Sequence, residues 1–101
     1  MSNEKIESIW QIVAQIPKGK VASYGQVAKM AGFPSHARFV GRVLKQLPKD
    51  SSLPWHRVIR SDGNLAFPPE SATHKKQRQR LLEENVEVEE KVSMRIYQWQ
   101  P

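Results

Sequence analysis

The residues of this chain whose types and spacing could do chemistry lie in Pro54-Trp55-His56-Arg57-Val58-Ile59. An imidazole that can accept or give up a proton stands there between an indole and a guanidinium. Proline fixes its own φ and restricts the residue before it, so a Pro-Trp step holds the indole in a defined place. Taken alone, such a tryptophan is more often the anchor of a small core than part of a site. His56 working as a general base would need a paired nucleophile or a second carboxylate, and neither is evident near it, which weighs against a hydrolase. Cysteine is absent from all 101 residues, which excludes thiol nucleophiles, disulfides and thiolate zinc sites. His36, His56 and His74 lack metal-ligand spacing, so neither a metal nor another cofactor is expected.

A second pattern is cationic. Sixteen Lys and Arg against ten Asp and Glu give a net charge of +6, and a small basic domain suits a polyanionic partner, nucleic acid before membrane. At 100° per residue, Arg38, Arg42 and Lys45 fall within about 60° of one another, with Val40, Leu44 and Leu47 on the opposite side. Gly41 falls beside the basic stripe, where a missing side chain lets the backbone approach a ligand closely. Charge pattern alone suits an ordinary solvated helix face as well as it suits DNA.

The elements that must position these residues can be read in order. Ile6, Ile9, Trp10, Val13 and Ile16 make one apolar stripe, predicting a helix over 3–16 with Asn3 as its N-cap, Trp10 in the core, and Pro17 and Gly19 as its stop. Val21-Ala22-Ser23 is short and extended. Ser23 followed three residues later by Gln26 fits a capping box that starts a second helix. Gly32 and Pro34 end it, and Ser35 caps a third helix from His36 to about Leu47, a helix-turn-helix layout. Lys49-Asp50-Ser51-Ser52 reads as a polar loop. Asp62-Gly63 between extended segments predicts a hairpin, with Leu65-Ala66-Phe67 as the return strand of a small wing. Residues 71–84 read as a polar helix anchored only by Leu81 and Leu82. The alternating tail from Val86 predicts a strand or hairpin over the core, with Trp99 packed. One domain spanning 1–101 is expected, with no signal peptide and no apolar run near the length of a membrane span.

The Pro54-Trp55-His56-Arg57-Val58 segment resembles the Pro-Cys-His-Arg-Val motif of the O6-alkylguanine-DNA alkyltransferases, with tryptophan where the reactive cysteine belongs. That replacement is similar to the signature of the alkyltransferase-like proteins, which bind alkylated guanine in DNA without repairing it. Gly19-Lys20-Val21-Ala22-Ser23-Tyr24-Gly25-Gln26-Val27-Ala28 looks like the family's segment leading into its helix-turn-helix, and Ala37-Arg38-Phe39-Val40-Gly41 is similar to its recognition-helix motif. The resemblance covers about residues 5–85. It implies a mainly α fold with small β elements, a winged helix-turn-helix DNA-binding domain like the alkyltransferases' C-terminal domain. It also implies that Arg38 enters the base stack as a finger while Tyr24 helps turn the target nucleotide out. DNA contacts are expected from Tyr24, Ser35, His36, Ala37, Arg38, Gly41, Arg42 and Lys45, and a lesion pocket from Tyr24, Pro54, Trp55 and Val58. Phe67, Pro68, Pro69 and Glu70 stand where the family has a glycine-rich stretch, so the far wall of the pocket after Leu65 departs from the pattern.

Direct alkyl transfer needs a soft, activated nucleophile, and an indole offers only an N–H donor. The family's relay runs from cysteine through histidine to a glutamate after a Leu-Leu helix. The Leu81-Leu82 register brings Asn85 to that place, or Glu84 if one residue is skipped, so the relay too is open to question. Binding without transfer is what remains: a non-enzymatic reader that flips O6-alkylguanine in double-stranded DNA and marks it for nucleotide excision repair proteins. It is expected to be cytoplasmic and monomeric, without a membrane partner. Stacking on Trp55 would contribute roughly 1–3 kcal/mol, and one extra buried methyl only about 0.8 kcal/mol. Preference for a lesion must therefore come also from its weak pairing with cytosine, which makes extrusion less costly. The alternative is a winged-helix regulator reading duplex sequence in the major groove, which would need base-edge side chains that this small-residue helix face lacks.

Overall fold

The computed structural model describes residues 3–48 and 50–101, with Asn3 described by its backbone alone. Helix α1 (Asn3–Gln15) comes first, followed by a two-residue strand β1 (Ala22–Ser23) and helices α2 (Tyr24–Met30) and α3 (Ala37–Lys45). A single 3-10 turn (Trp55–Arg57) leads into strand β2 (Val58–Ile59), then α4 (Ala72–Glu83) and a one-turn helix α5 (Met94–Tyr97). The Asn3 side chain, on which the expected cap depends, and the Lys49 end of the polar loop lie outside what is described.

Two apolar clusters hold these elements. The first joins Ile9, Val13 and Ile16 of the α1 stripe to Val27, Ala28, Val40 and Val43, and so fastens the helix-turn-helix to α1. The second gathers Val21, Ile59, Leu65, Leu81, Val86, Val88 and Val92 around the C-terminal half. Trp10 is not core: 37% of it stays exposed, because it lies at the edge of the stripe, beyond the arc that Ile9 and Val13 fill. Leu82, the second expected anchor of α4, is 39% exposed. Its place is taken by Gln77, fully buried one turn before the fully buried Leu81.

The caps follow local chemistry only in part. Ser23 Oγ accepts from the Gln26 N–H at 3.0 Å, one half of the capping box. The Gln26 amide does not return the favour; its Nε2 donates to the Trp99 carbonyl at 2.9 Å and ties α2 to the tail. Ser35 does not cap α3. His36 holds that position without a side-chain bond to the helix, and the Ser35 hydroxyl lies 3.4 Å from His36 Nδ1.

The wing is not a hairpin. Asp62 and Gly63 do turn the chain: Asn64 N–H donates to Asp62 Oδ1 at 3.0 Å, and Gly63 sits at φ +91°, the left-handed region glycine favours. A Cβ on Gly63 would also run into the Val92 carbonyl oxygen, since Val92 N–H donates to the Gly63 carbonyl at 2.8 Å. No return strand forms at Leu65–Phe67. β2 instead pairs in parallel with β1, Ala22 opposite Val58 and Ser23 opposite Ile59. The tail likewise forms little strand: Val88 bridges Val92, Val21 bridges Gln98, and residues 94–97 coil into α5. Trp99 does pack against the first cluster, held by its N–H bond to the Val21 carbonyl at 2.7 Å.

Candidate nucleic-acid interface

α2 and α3 pack on each other so that Tyr24, the first residue of α2, lies against Gly41 in the middle of α3. A Cβ placed on Gly41 would stand 3.9 Å from Tyr24 Cε1, so the glycine leaves room beside the phenol. Burial of Tyr24 raises its pKa above the ordinary tyrosine value, and the hydroxyl stays protonated as a donor. Ala37, Arg38, Gly41, Arg42 and Lys45 surround it in one open, largely apolar hollow, closed on the far side by Arg60 and Ala66. Arg38, Arg42 and Lys45 are exposed, and none has a carboxylate partner within 4 Å among the described residues. Ser35 and His36 lie at the N-terminal end of α3, with His36 edge-on to Phe33 at 5.8 Å. Arg60 was not anticipated; its position straight after the Trp-His-Arg-Val-Ile run was the available signal.

A second concavity, of about 250 Å³, opens beyond Lys45, which borders both. Trp55 and Phe67 form its walls, edge to face with ring centres 6.3 Å apart, and Leu44 and Leu47 of the α3 end complete its apolar side. Of the residues that stand where the family has a glycine-rich stretch, Phe67 is the one that faces Trp55 across this cavity. The Arg80 guanidinium lies 5.7 Å from the Trp55 ring centre. Tyr24 and Trp55 do not line the same hollow but two neighbouring ones. Val58 contributes no side chain to either, being fully buried. Its N–H donates to the Trp55 carbonyl, and its own carbonyl accepts from Gln77 Nε2 at 3.1 Å.

Behind Trp55 lies a cluster of paired charge. Glu84, the residue that ends α4, has its Oε2 2.7 Å from His56 Nε2 and 2.7 Å from Arg57 Nη2. Its Oε1 accepts from Arg57 Nε at 2.9 Å and from the Gly19 N–H at 3.1 Å, while Arg57 Nη1 donates to the Ile16 carbonyl at 2.8 Å. Burial alone would raise the Glu84 pKa, but the bonds from Arg57, His56 and Gly19 outweigh it and hold the carboxyl at about 2. An ionised carboxylate only accepts, so His56 Nε2 carries the proton. Burial pushes the His56 pKa below its usual value against the pull of Glu84. Its Nδ1 is buried without a partner among the described residues, so protonating it would create an unpaired donor. Of the two residues that the sequence offered to pair with His56, the one in contact with it is therefore Glu84 and not Asn85. Asn85 takes φ 65° in the turn after α4 and stays exposed.

Residues 4–86 match the family described as 6-O-methylguanine DNA methyltransferase, DNA binding domain. A protein of Vibrio parahaemolyticus named "DNA base-flipping protein" is 47% identical, over 92% of this chain and 93% of its own. The crystal structure of Schizosaccharomyces pombe Atl1, an alkyltransferase-like protein, in complex with damaged DNA containing O6-carboxymethylguanine, superposes with a TM-score of 0.93 at 37% identity, covering 100% of this chain and 99% of that one. The chain belongs to the alkyltransferase-like proteins. Mycobacterium tuberculosis OGT in complex with DNA is more distant, with a TM-score of 0.72 at 29% identity over 84% of this chain and 51% of that one. Like its family, this alkyltransferase-like protein shares the alkyltransferase DNA-binding fold but not its chemistry. With no cysteine anywhere in the chain and an indole at the reacting position, it does not transfer an alkyl group.

Proposed function

We propose that this protein recognises O6-alkylguanine in double-stranded DNA by turning the damaged nucleotide out of the helix and holding it against Trp55, without removing the alkyl group. The observation that carries this reading is the adjacency of the two hollows across Lys45. A finger-length arginine, Arg38, and a half-buried tyrosine stand at the first, and a cavity walled by Trp55 and Phe67 opens next to it. A reader of extruded bases needs a group to fill the vacated stack and a flat apolar wall to receive the base. Ala37 and Gly41 beside Tyr24 suit close approach of a backbone better than they suit base-edge readout in the major groove. Because the adduct stays on the base, its removal falls to another activity, and we assign that handover to nucleotide excision repair, with the protein acting as a monomer on cytoplasmic DNA.

The test is a pair of titrations with otherwise identical duplexes, one carrying a single O6-methylguanine. Tighter binding of the modified duplex is expected. Equal affinity would favour the sequence-reading alternative. The handover is tested separately, by whether the protein speeds incision of the lesion strand by purified excision-repair proteins.

A further inference from the structure

Trp55 rides on a single 3-10 turn whose own backbone bonds are local. Trp55 N–H donates to the Leu53 carbonyl at 2.8 Å, Arg57 N–H to the Pro54 carbonyl at 3.0 Å, and Val58 N–H to the Trp55 carbonyl. One such turn has little stability of its own. Two of its carbonyls are held from outside by one side chain: Gln77 Nε2 donates to His56 and to Val58, at 3.1 Å each. Gln77, Leu81 and Glu84 stand at i, i+4 and i+7 on one face of α4. The helix therefore grips the turn at two points, through its backbone at Gln77 and through the His56 and Arg57 side chains at Glu84. Thr73, Lys76 and Arg80 of the same helix line the Trp55 cavity, so Gln77 registers the indole against the wall that α4 supplies. Gln77 is fully buried. Both Nε2 protons are committed, and Oε1 is left buried without a partner among the described residues. An apolar side chain of the same length would fill the space without that orphaned acceptor, which costs stability. What the amide adds is the pair of donors.

We infer that Gln77, inside the protein and out of reach of DNA, is a positioning residue that sets how strongly a modified duplex is preferred over an intact one. By fixing the carbonyls on either side of Arg57 it holds the turn, and with it the indole, where an extruded base can stack. Without that grip, part of the stacking energy is consumed in ordering the turn. Arg38, Arg42 and Lys45 reach DNA from α3 and do not act through this turn, so affinity for intact DNA is independent of Gln77. The inference rests on the proposal that the extruded base stacks on Trp55, and it adds the buried residue on which the preference depends.

Gln77→Met keeps the length of the side chain and removes its donors. It is expected to cut the ratio of O6-methylguanine-duplex affinity to intact-duplex affinity by about fivefold, with affinity for the intact duplex unchanged. Leu81→Val, one turn along the same buried face, loosens the core without touching the bonds to the turn and should leave the ratio as it is. A second measurement needs no substitution. In the unaltered protein the Gln77 side-chain amide protons should exchange with solvent more slowly in the complex with the modified duplex than in the complex with the intact one, at equal occupancy. A grip that favours the stacked base is favoured by it in return. An unchanged ratio in Gln77→Met, an equal fall in Leu81→Val, or equal exchange in the two complexes would overturn the inference and leave the unaltered protein's preference for the lesion standing. Absence of that preference in the unaltered protein would sink the lesion-reading proposal itself, and the inference with it.

Discussion

Arg57 and Arg38 carry the same side chain into opposite surroundings. Arg57 divides its guanidinium between the Glu84 carboxylate and the Ile16 carbonyl and so ties the Trp55 turn to the end of α4 and the end of α1. Arg38 stands exposed on α3 with no carboxylate in reach among the described residues, in company with Arg42 and Lys45. The first region has its charges matched from within; the second leaves its charges for a partner. His56, Arg57 and Glu84 form a paired strut behind Trp55, which stands at the edge of its cavity.

The contrast is broken most forcefully at Glu84. Glu84→Ala leaves Arg57 and His56 unmatched in the interior and is expected to cost about 3 kcal/mol of stability, read as a fall in urea midpoint. Arg38→Ala should leave stability in urea unchanged within about 0.5 kcal/mol yet weaken binding of an O6-methylguanine duplex on the order of thirtyfold. An equal loss on the intact duplex would deny Arg38 the role of finger. Acid should find the strut and spare the surface. A carboxyl held at about 2 in the folded state against an ordinary unfolded value contributes stability above pH ~4.5 that is lost as pH falls toward 2. His56, lowered by burial, adds loss in the same direction from pH ~6.5 downward. Glu84→Gln should flatten the lower part of that profile. Gly41→Ala sharpens the comparison from the other side. It should raise stability by up to about 1 kcal/mol through helix propensity, while the added methyl beside Tyr24 weakens DNA binding. The smallest effect belongs to Lys45→Ala, which should lower the slope of log affinity against log salt by about one.

The second region was open to sequence reading and the first was not. Arg38, Arg42, Lys45 and Gly41 share a helix face, and a face follows from spacing within nine residues. Local chemistry also places the Ser23 cap and the turn at Gly63. The strut depends on where α4 stops. Helix periodicity does not decide between Glu84 and Asn85; the point where α4 stops does, with Glu84 as its C-cap beside His56 and Arg57 and Asn85 already in the left-handed turn that follows. The missing hairpin has a similar cause. Val58 and Ile59 look like the first half of a hairpin with the turn that follows, but their partner is β1, more than thirty residues earlier, and a long-range parallel pairing leaves no local mark. Gln77 stands among lysines and arginines that mask it in the sequence, although its place four residues before Leu81 puts both on one buried face. Its Nε2 bonds to the His56 and Val58 carbonyls brace the very turn that carries Trp55.

Fluorescence of Trp55 tests the central claim most directly, with Trp10→Phe and Trp99→Phe removing the other two indoles. Saturation with an O6-methylguanine duplex is expected to quench and shift Trp55 emission as the base stacks on it, while the intact duplex at equal occupancy leaves it nearly unchanged. Identical spectra with both duplexes would show that no base reaches the indole and would contradict the claim.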